Sequence, residues 1–320
     1  MKSVIYITRK IPDALLRPYQ DSFTFRMWDK ENVPVPRDVL LREVAAADGV
    51  LCLITESIDR EFLAAAQHLK IVANMAVGYD NIDVDAAREH GVVVTNTPDV
   101  LTETTADLTF ALMMATARRI VEAADYIREG KWDYWAPYLL AGSDIHDKTI
   151  GIVGMGRIGE AVARRAKGFG MSILYHNRSR KNHAEQELGA FYSDFPELLQ
   201  EADFVVSLVP LTEQTSEIFN QDAFKQMKSS AVFVNVSRGG TVDEQALYEA
   251  LTSREIRAAG LDVFTNEPIS PEHPLLGLDN VVCLPHIGSA SAATRTSMIE
   301  LCFDNLQAVM NGERVITPVN

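Results

Sequence analysis

The chain has 320 residues, which at about 150 residues per domain points to two domains, each long enough to bury its own core. Hydrophobic residues make up 47% and charged residues 23%, a globular balance that excludes a disordered or collagen-like chain. Against 30 Lys and Arg stand 44 Asp and Glu, for a net charge of −14. So acidic a chain is a poor candidate for sequence-independent nucleic-acid binding or for docking on an anionic membrane.

The first apolar stretch, Val4–Thr8, is too short for a secretory leader and runs straight into Arg9 and Lys10. No run approaches the ~18 apolar residues of a membrane span. Cys52, Cys283 and Cys302 form no Cys-x-x-Cys pair. Neither a metal site nor a disulfide framework is therefore expected, and a reducing, cytoplasmic setting fits.

In chain order, strands are expected at Val4–Thr8, Gly49–Ile54, Ile71–Ala76 and Val92–Thr95, with helical patterns over Arg37–Ala47, Arg60–His68 and Val84–His90 between them. This βαβ rhythm calls for a parallel sheet with helices on its faces. One long helix is expected from about Thr102, capped within Thr102–Thr105, to Glu129, with Gly130 ending it. The domain boundary is placed near Leu101, since no low-complexity linker joins the halves. After the aromatic, irregular segment Trp132–Gly142 the rhythm restarts. Strands are expected at Thr149–Val153, Ser172–Tyr175, Phe204–Leu208, Val232–Asn235, Gly260–Val263 and Val281–Leu284, and a last helix at Ala293–Asn311.

The strongest local signal is Gly154-Met155-Gly156-Arg157-Ile158-Gly159, set between an apolar strand and a helical pattern. In that context Gly154 permits a tight turn, Gly156 lets the backbone approach a pyrophosphate, and Gly159 allows close helix–strand packing. The helix N-terminus supplies N–H groups and a partial positive charge for the phosphates. After the next strand an NAD site wants an acidic residue for the ribose 2′-OH. The chain instead reads His176-Asn177-Arg178-Ser179-Arg180-Lys181. Arg178 and Arg180, aided by Asn177 and Ser179, suit a 2′-phosphate, so NADP(H) is expected, with NAD(H) a weaker alternative.

Three further residues each follow a predicted sheet strand: Arg238 after Val232–Asn235, Glu267 after Gly260–Val263, and His286 after Val281–Leu284. Open α/β sheets bind their ligands at the carboxyl ends of the strands. An Arg, a Glu and a His on that edge, beside a dinucleotide fold, make a candidate catalytic set.

At these residues the chain resembles the D-isomer-specific 2-hydroxyacid dehydrogenases, and within them the glyoxylate/hydroxypyruvate reductases and 2-ketogluconate reductases. The resemblance runs from Val77-Gly78-Tyr79-Asp80-Asn81-Ile82-Asp83 to Pro285-His286-Ile287-Gly288-Ser289-Ala290. It implies two doubly wound parallel-sheet (Rossmann/flavodoxin-like) α/β domains with the active site in the cleft between them. Residues 1–100 with 288–320 would bind substrate, 101–287 would bind NADP, and 121–147 would be a dimerisation arm. It also implies hydride transfer from NADPH to a 2-oxo acid, with His286 donating the proton. Glu267 would orient the imidazole and favour its charged form, and Arg238 would bind the substrate carboxylate and carbonyl. Val77 and Gly78 would offer backbone N–H groups to the same carboxylate, and Ser289 lies beside the histidine. Cofactor contacts would come from Thr105, Met155, Arg157, Ile158, Val209, Pro210, Thr215, Val236, Ser237, Asp262 and Gly288 besides the glycines, Arg238 and His286. Asp262 matches a position that accepts from the nicotinamide carboxamide, and Trp135 an aromatic that reaches the partner's active site in a homodimer. The 3-phosphoglycerate dehydrogenases and the C-terminal binding protein corepressors share the triad. Neither a regulatory domain nor an interaction tail is visible here, and the corepressors' NAD preference sits badly with Arg178 and Arg180.

Overall fold

The computed structural model describes residues 2–320. The chain divides into two compact units, one running to Leu101 and resuming at Ala290–Asn320, the other Thr102–Ser289. The first unit holds β1 (Ser3–Ile7), β2 (Phe23–Met27), β3 (Gly49–Cys52), β4 (Ile71–Asn74) and β5 (Val93–Thr95). These pair in parallel in the order β2-β1-β3-β4-β5. Every residue of β3 and β4 is buried, because helices cover both faces of a parallel sheet, and so these strands read as unbroken apolar runs. The helices Arg60–Ala65 and Val84–Glu89 start where Asp59 and Asp83 accept the backbone amides of Phe62 and Ala86. The closing helix Ala292–Asn311 returns to this unit, with Phe303 fully buried and its ring stacked 4.7 Å from that of Tyr19.

The second unit holds β6 (Thr149–Val153), β7 (Ser172–His176), β8 (Ala190–Tyr192), β9 (Phe204–Ser207), β10 (Val232–Asn235), β11 (Ala258–Leu261) and β12 (Val281–Cys283). All pair in parallel, in the order β12-β11-β10-β9-β6-β7-β8. Strand order reverses between β6 and β9 here, and between β1 and β3 in the first unit. Each reversal opens a crevice beyond the carboxyl ends of the strands.

Two strands escape the sequence pattern, β2 and β8. Both are edge strands: β2 buries Phe23 but exposes Thr24 and Arg26, and β8 spans three residues. Their apolar runs are too short or too interrupted to stand out. The expected long helix is in fact two, Thr102–Ala117 and Ile120–Arg128. Arg119 between them takes a left-handed φ of 54°. The returning chain supplies the cause, since the Ser143 amide captures the Ala117 carbonyl at 2.8 Å. Arg119 meanwhile grips Glu122 through its guanidinium at 2.6 and 2.8 Å. No described helix is long and apolar enough to cross a membrane.

Candidate active site

The dinucleotide loop is built at the strand-order reversal of the second unit. β6 is followed at once by Gly154, whose φ is 107°. A Cβ there would lie 2.7 Å from the carbonyl carbon of Leu208, just past β9, so only glycine lets the two strand ends close together. Gly156 is the N-cap of the helix Arg157–Gly168 and carries no side-chain cap. A Cβ on Gly156 would meet nothing within 4 Å. The first turn of that helix therefore presents backbone N–H groups to open space, the arrangement a pyrophosphate fits. Met155 and Gly159 are buried beneath the turn, Ile158 is half-buried and Arg157 is exposed.

Beyond β7, Asn177 donates to the carbonyl of Ser179 at 3.2 Å, and Arg178 and Ser179 are exposed. Arg180 is held elsewhere. Its guanidinium makes a two-pronged contact with Glu185 at 3.0 and 2.8 Å, and Glu185 also accepts from the Tyr175 hydroxyl at 2.7 Å. That pairing was hidden in the sequence because it spans a turn into the helix Asn182–Leu188.

The other nucleotide positions gather around Gly288. A Cβ on it would lie 3.3 Å from Asp262 Oδ2, 3.4 Å from Val236 and 3.5 Å from Thr105. Ser237 donates to Asn235 Oδ1 at 2.8 Å and lies 3.1 Å from the Ser207 hydroxyl. Thr215 closes the turn after Val209 by donating to the Pro210 carbonyl at 2.6 Å.

The His286–Glu267 pair follows β11 and β12. His286 Nδ1 and Glu267 Oε2 are 2.7 Å apart, and Glu267 Oε1 accepts the Phe264 amide at 2.9 Å. Burial pushes the Glu267 carboxyl up. The hydrogen bond and charge of His286, the Phe264 amide and the charge of Arg238 outweigh it and hold the carboxyl below its ordinary value. Arg238 is steadied by donating from Nη1 to the Ser237 carbonyl at 2.9 Å. Arg238, Glu267 and His286 thus share one electrostatic neighbourhood.

His286 is aimed by Asp262. The Asp262 carbonyl accepts the His286 amide at 2.9 Å, its Oδ1 accepts the Ile287 amide at 2.8 Å, and its Oδ2 accepts the Gly288 amide at 2.7 Å. Three successive N–H groups therefore converge on one residue, and His286 adopts a left-handed φ of 53°. Asp262 is fully buried. Its burial raises the carboxyl pKa despite the two amides and the charge of His286. Nothing in the sequence marks this role.

A second support went unforeseen. Glu244 accepts the Thr265 amide at 2.7 Å and lies 3.3 Å from His273 Nε2, beneath the loop that carries Glu267. In the first unit, Val77 and Gly78 form a half-buried turn after β4. Buried Glu56 nearby in sequence ties the ends of β1 and β3, accepting from the Thr8 hydroxyl at 2.6 Å and the Leu53 amide at 2.9 Å. Ser289 is half-buried. Trp132, Tyr134, Trp135 and Tyr138 are all exposed, Trp135 at 78%.

Comparison with known proteins gives the family of the chain. Residues 110–288 match the family model described as D-isomer specific 2-hydroxyacid dehydrogenase, NAD binding domain. A glyoxylate reductase of Korarchaeum cryptofilum is 51% identical over 98% of this chain and 94% of its own. One of Thermococcus onnurineus is 49% identical over 100% and 96%. The crystal structure of an NADPH-dependent glyoxylate/hydroxypyruvate reductase from Sinorhizobium meliloti, in complex with NADP and malonate, superposes with a TM-score of 0.87. It is 36% identical and covers 100% of this chain and 97% of that one. The chain belongs to the D-isomer-specific 2-hydroxyacid dehydrogenases, and its cofactor is a nicotinamide dinucleotide.

Replacing Asp262 with Ala strands the amides of Ile287 and Gly288, at about 1–3 kcal/mol for each that stays buried. Asp262→Ala is expected to lower the urea midpoint markedly, with Asp262→Asn in between because one acceptor oxygen survives. A midpoint unchanged in Asp262→Ala would contradict the assigned role.

Proposed function

We propose that the protein is an NADPH-dependent reductase of small 2-oxo acids, with glyoxylate, hydroxypyruvate and 2-ketogluconate as its candidate substrates and the D-2-hydroxy acid as product. The observation that carries this reading is the 2.7 Å His286–Glu267 pair within the field of Arg238. The names of the glyoxylate reductases among its relatives support it.

The glycine loop and the first turn of the helix Arg157–Gly168 would hold the pyrophosphate, and Thr105, Val236, Asp262 and Gly288 the nicotinamide end. When bound, the reduced nicotinamide supplies hydride to the substrate carbonyl carbon. Arg238 binds the substrate carboxylate and draws electron density toward the carbonyl oxygen, and its guanidinium stays charged at any working pH. With Nδ1 committed to Glu267, Nε2 of His286 is the nitrogen that passes a proton to the developing alkoxide. Glu267, held ionised, stabilises the imidazolium before that transfer. The first unit would bind substrate through Val77 and Gly78, with Ser289 beside the histidine.

Arg178 would be the principal 2′-phosphate ligand, since Arg180 must share its guanidinium with Glu185. The exposed aromatic segment from Trp132 to Tyr138, with Ile120, Val121 and Ile127 exposed on the preceding helix, would be covered by a second copy of the chain. Trp135 would then lie at the partner's site.

Nucleotide oxidation measured against the three candidate 2-oxo acids should show NADPH-dependent turnover of at least one. His286→Ala should cut kcat about 10²–10⁴-fold and leave NADPH affinity unchanged, whereas an equal loss of affinity would rule out the proton-donor role. Changing Arg178 and Arg180 together to Ala should weaken NADPH about tenfold or more and spare NADH, as loss of charged hydrogen bonds does. Indifference to that change would remove the 2′-phosphate assignment. Sedimentation equilibrium should return twice the chain mass, and a monomer at micromolar concentration would exclude the dimer.

A further inference from the structure

Three consecutive carbonyls in the turn after β4 are each held by a donor of the same unit. The Thr97 amide donates to the Ala76 carbonyl at 2.8 Å. Asn96 Nδ2 donates to the Val77 carbonyl at 2.8 Å, and Asn74 Nδ2 donates to the Gly78 carbonyl at 2.9 Å. In a trans peptide the carbonyl and the following N–H point in opposite directions. These peptides are trans, since Glu267–Pro268 is the cis bond found among the described residues. Capture of each carbonyl therefore fixes its peptide, with the N–H of Val77, Gly78 or Tyr79 pointing away from the captured carbonyl. Among the described residues no acceptor of the chain takes any of the three. Three successive N–H groups of a fixed turn, left without a chain acceptor, suit an anion.

The two asparagines are themselves fixed. Asn74 is fully buried, and its Oδ1 lies 3.7 Å from the Cys52 thiol. Asn96 is braced by the C-terminal segment. Its amide donates to the Thr317 carbonyl at 3.3 Å, and its own carbonyl accepts the Thr317 hydroxyl at 2.7 Å. Thr317 hangs on buried Asn305, whose Nδ2 reaches the Thr317 hydroxyl at 2.9 Å and whose Oδ1 accepts the Thr317 amide at 3.0 Å. A continuous set of hydrogen bonds thus runs from the last helix, through the tail, to the Val77 peptide.

We infer that Asn96 and Asn74 are positioning residues for the substrate carboxylate. They pin the Val77 and Gly78 carbonyls so that the amides of Val77, Gly78 and Tyr79 stay aligned as one anion-binding turn. This rests on the reading of the protein as a 2-oxo acid reductase and adds the groups that pre-organise its carboxylate site. An asparagine suits the task because its amide donates to a carbonyl while its oxygen accepts elsewhere. An aspartate of the same shape would set a negative oxygen against that carbonyl and release the peptide.

The test compares wild type with Asn96→Asp and Asn96→Ser under saturating NADPH, with the 2-oxo acid that wild type reduces best. Asn96→Asp should raise KM for the acid about tenfold or more, the effect of misaligned charged hydrogen bonds, with kcat little changed because the binding lost is uniform. NADPH affinity should not move. Asn96→Ser keeps a donor and should recover part of the KM. Should Asn96→Asp not fold, Thr317→Val removes only the hydroxyl that braces Asn96 and should shift KM in the same direction. A folded variant whose stability falls while KM stays put overturns the inference, as does a parallel loss of NADPH affinity. Wild type inert on every 2-oxo acid would overturn the proposed function and this inference with it. Wild-type turnover with an unmoved KM would overturn this inference alone.

Discussion

The placement of His286 hangs on one buried residue, Asp262, through its carboxyl group and its carbonyl. Asp262 takes the amides of His286, Ile287 and Gly288 with three oxygens, and so it dictates the path of the chain as it leaves β12. That path forces His286, a residue with a Cβ, into the left-handed region, a conformation that costs on the order of 1–3 kcal/mol. Three hydrogen bonds, two of them to a carboxylate, offset the strain. The gain is a fixed backbone at His286, from which the part-buried imidazole reaches Glu267. Glu267 then meets a ring already in place and is itself steadied by the Phe264 amide, while Glu244 holds the neighbouring Thr265 amide.

Parallel sheets make such a site possible. Each strand ends on the same edge, so residues far apart in sequence emerge side by side, and the loops between them carry unpaired amides and carbonyls that must find partners. In this chain many of those partners are short polar side chains: Asp262 for the histidine loop, Glu244 for the Glu267 loop, Glu56 for the ends of β1 and β3, Asn74 and Asn96 for the turn after β4. At the helix Arg157–Gly168 the glycine loop offers no such partner. The N-terminus of the helix is left without a side-chain cap, and a helix end without a cap, beside a glycine with open space above it, is fit for a ligand with negative charge.

What the sequence made legible were features encoded by neighbours along the chain. The parallel strands are buried on both faces and read as apolar runs. The glycine loop sits between a strand and a helix whose periods differ. Arg238, Glu267 and His286 each follow a strand closely enough to be placed on one edge. What stayed hidden depends on residues distant in sequence. The break at Arg119 comes from Ser143 folding back on Ala117. The capture of Arg180 by Glu185 crosses a turn. Asp262 serves amides more than twenty positions away, and a residue just past a strand, followed by Val, gives no sign of it. β2 and β8 were missed for a simpler reason: as short edge strands they carry little of the apolar signal on which strand recognition depends.

The two carboxylates beside His286 separate in function because their surroundings drive them apart. Asp262 has no exposure, and burial raises its pKa even though two amides and the charge of His286 oppose that shift. Glu267 keeps some contact with solvent, and there the pull of His286, the Phe264 amide and Arg238 outweighs burial. Neighbouring acids whose affinities for a proton diverge have distinct tasks. Glu267 is the partner that stays ionised against the imidazole. Asp262 engages the ring's own backbone, and its task of holding three amides is met by the direction of its oxygens more than by its charge. One acid, Asp262, thus holds the backbone of residues 286–288 while the other, Glu267, holds the ring at Nδ1, so that chain path and imidazole are fixed by separate groups.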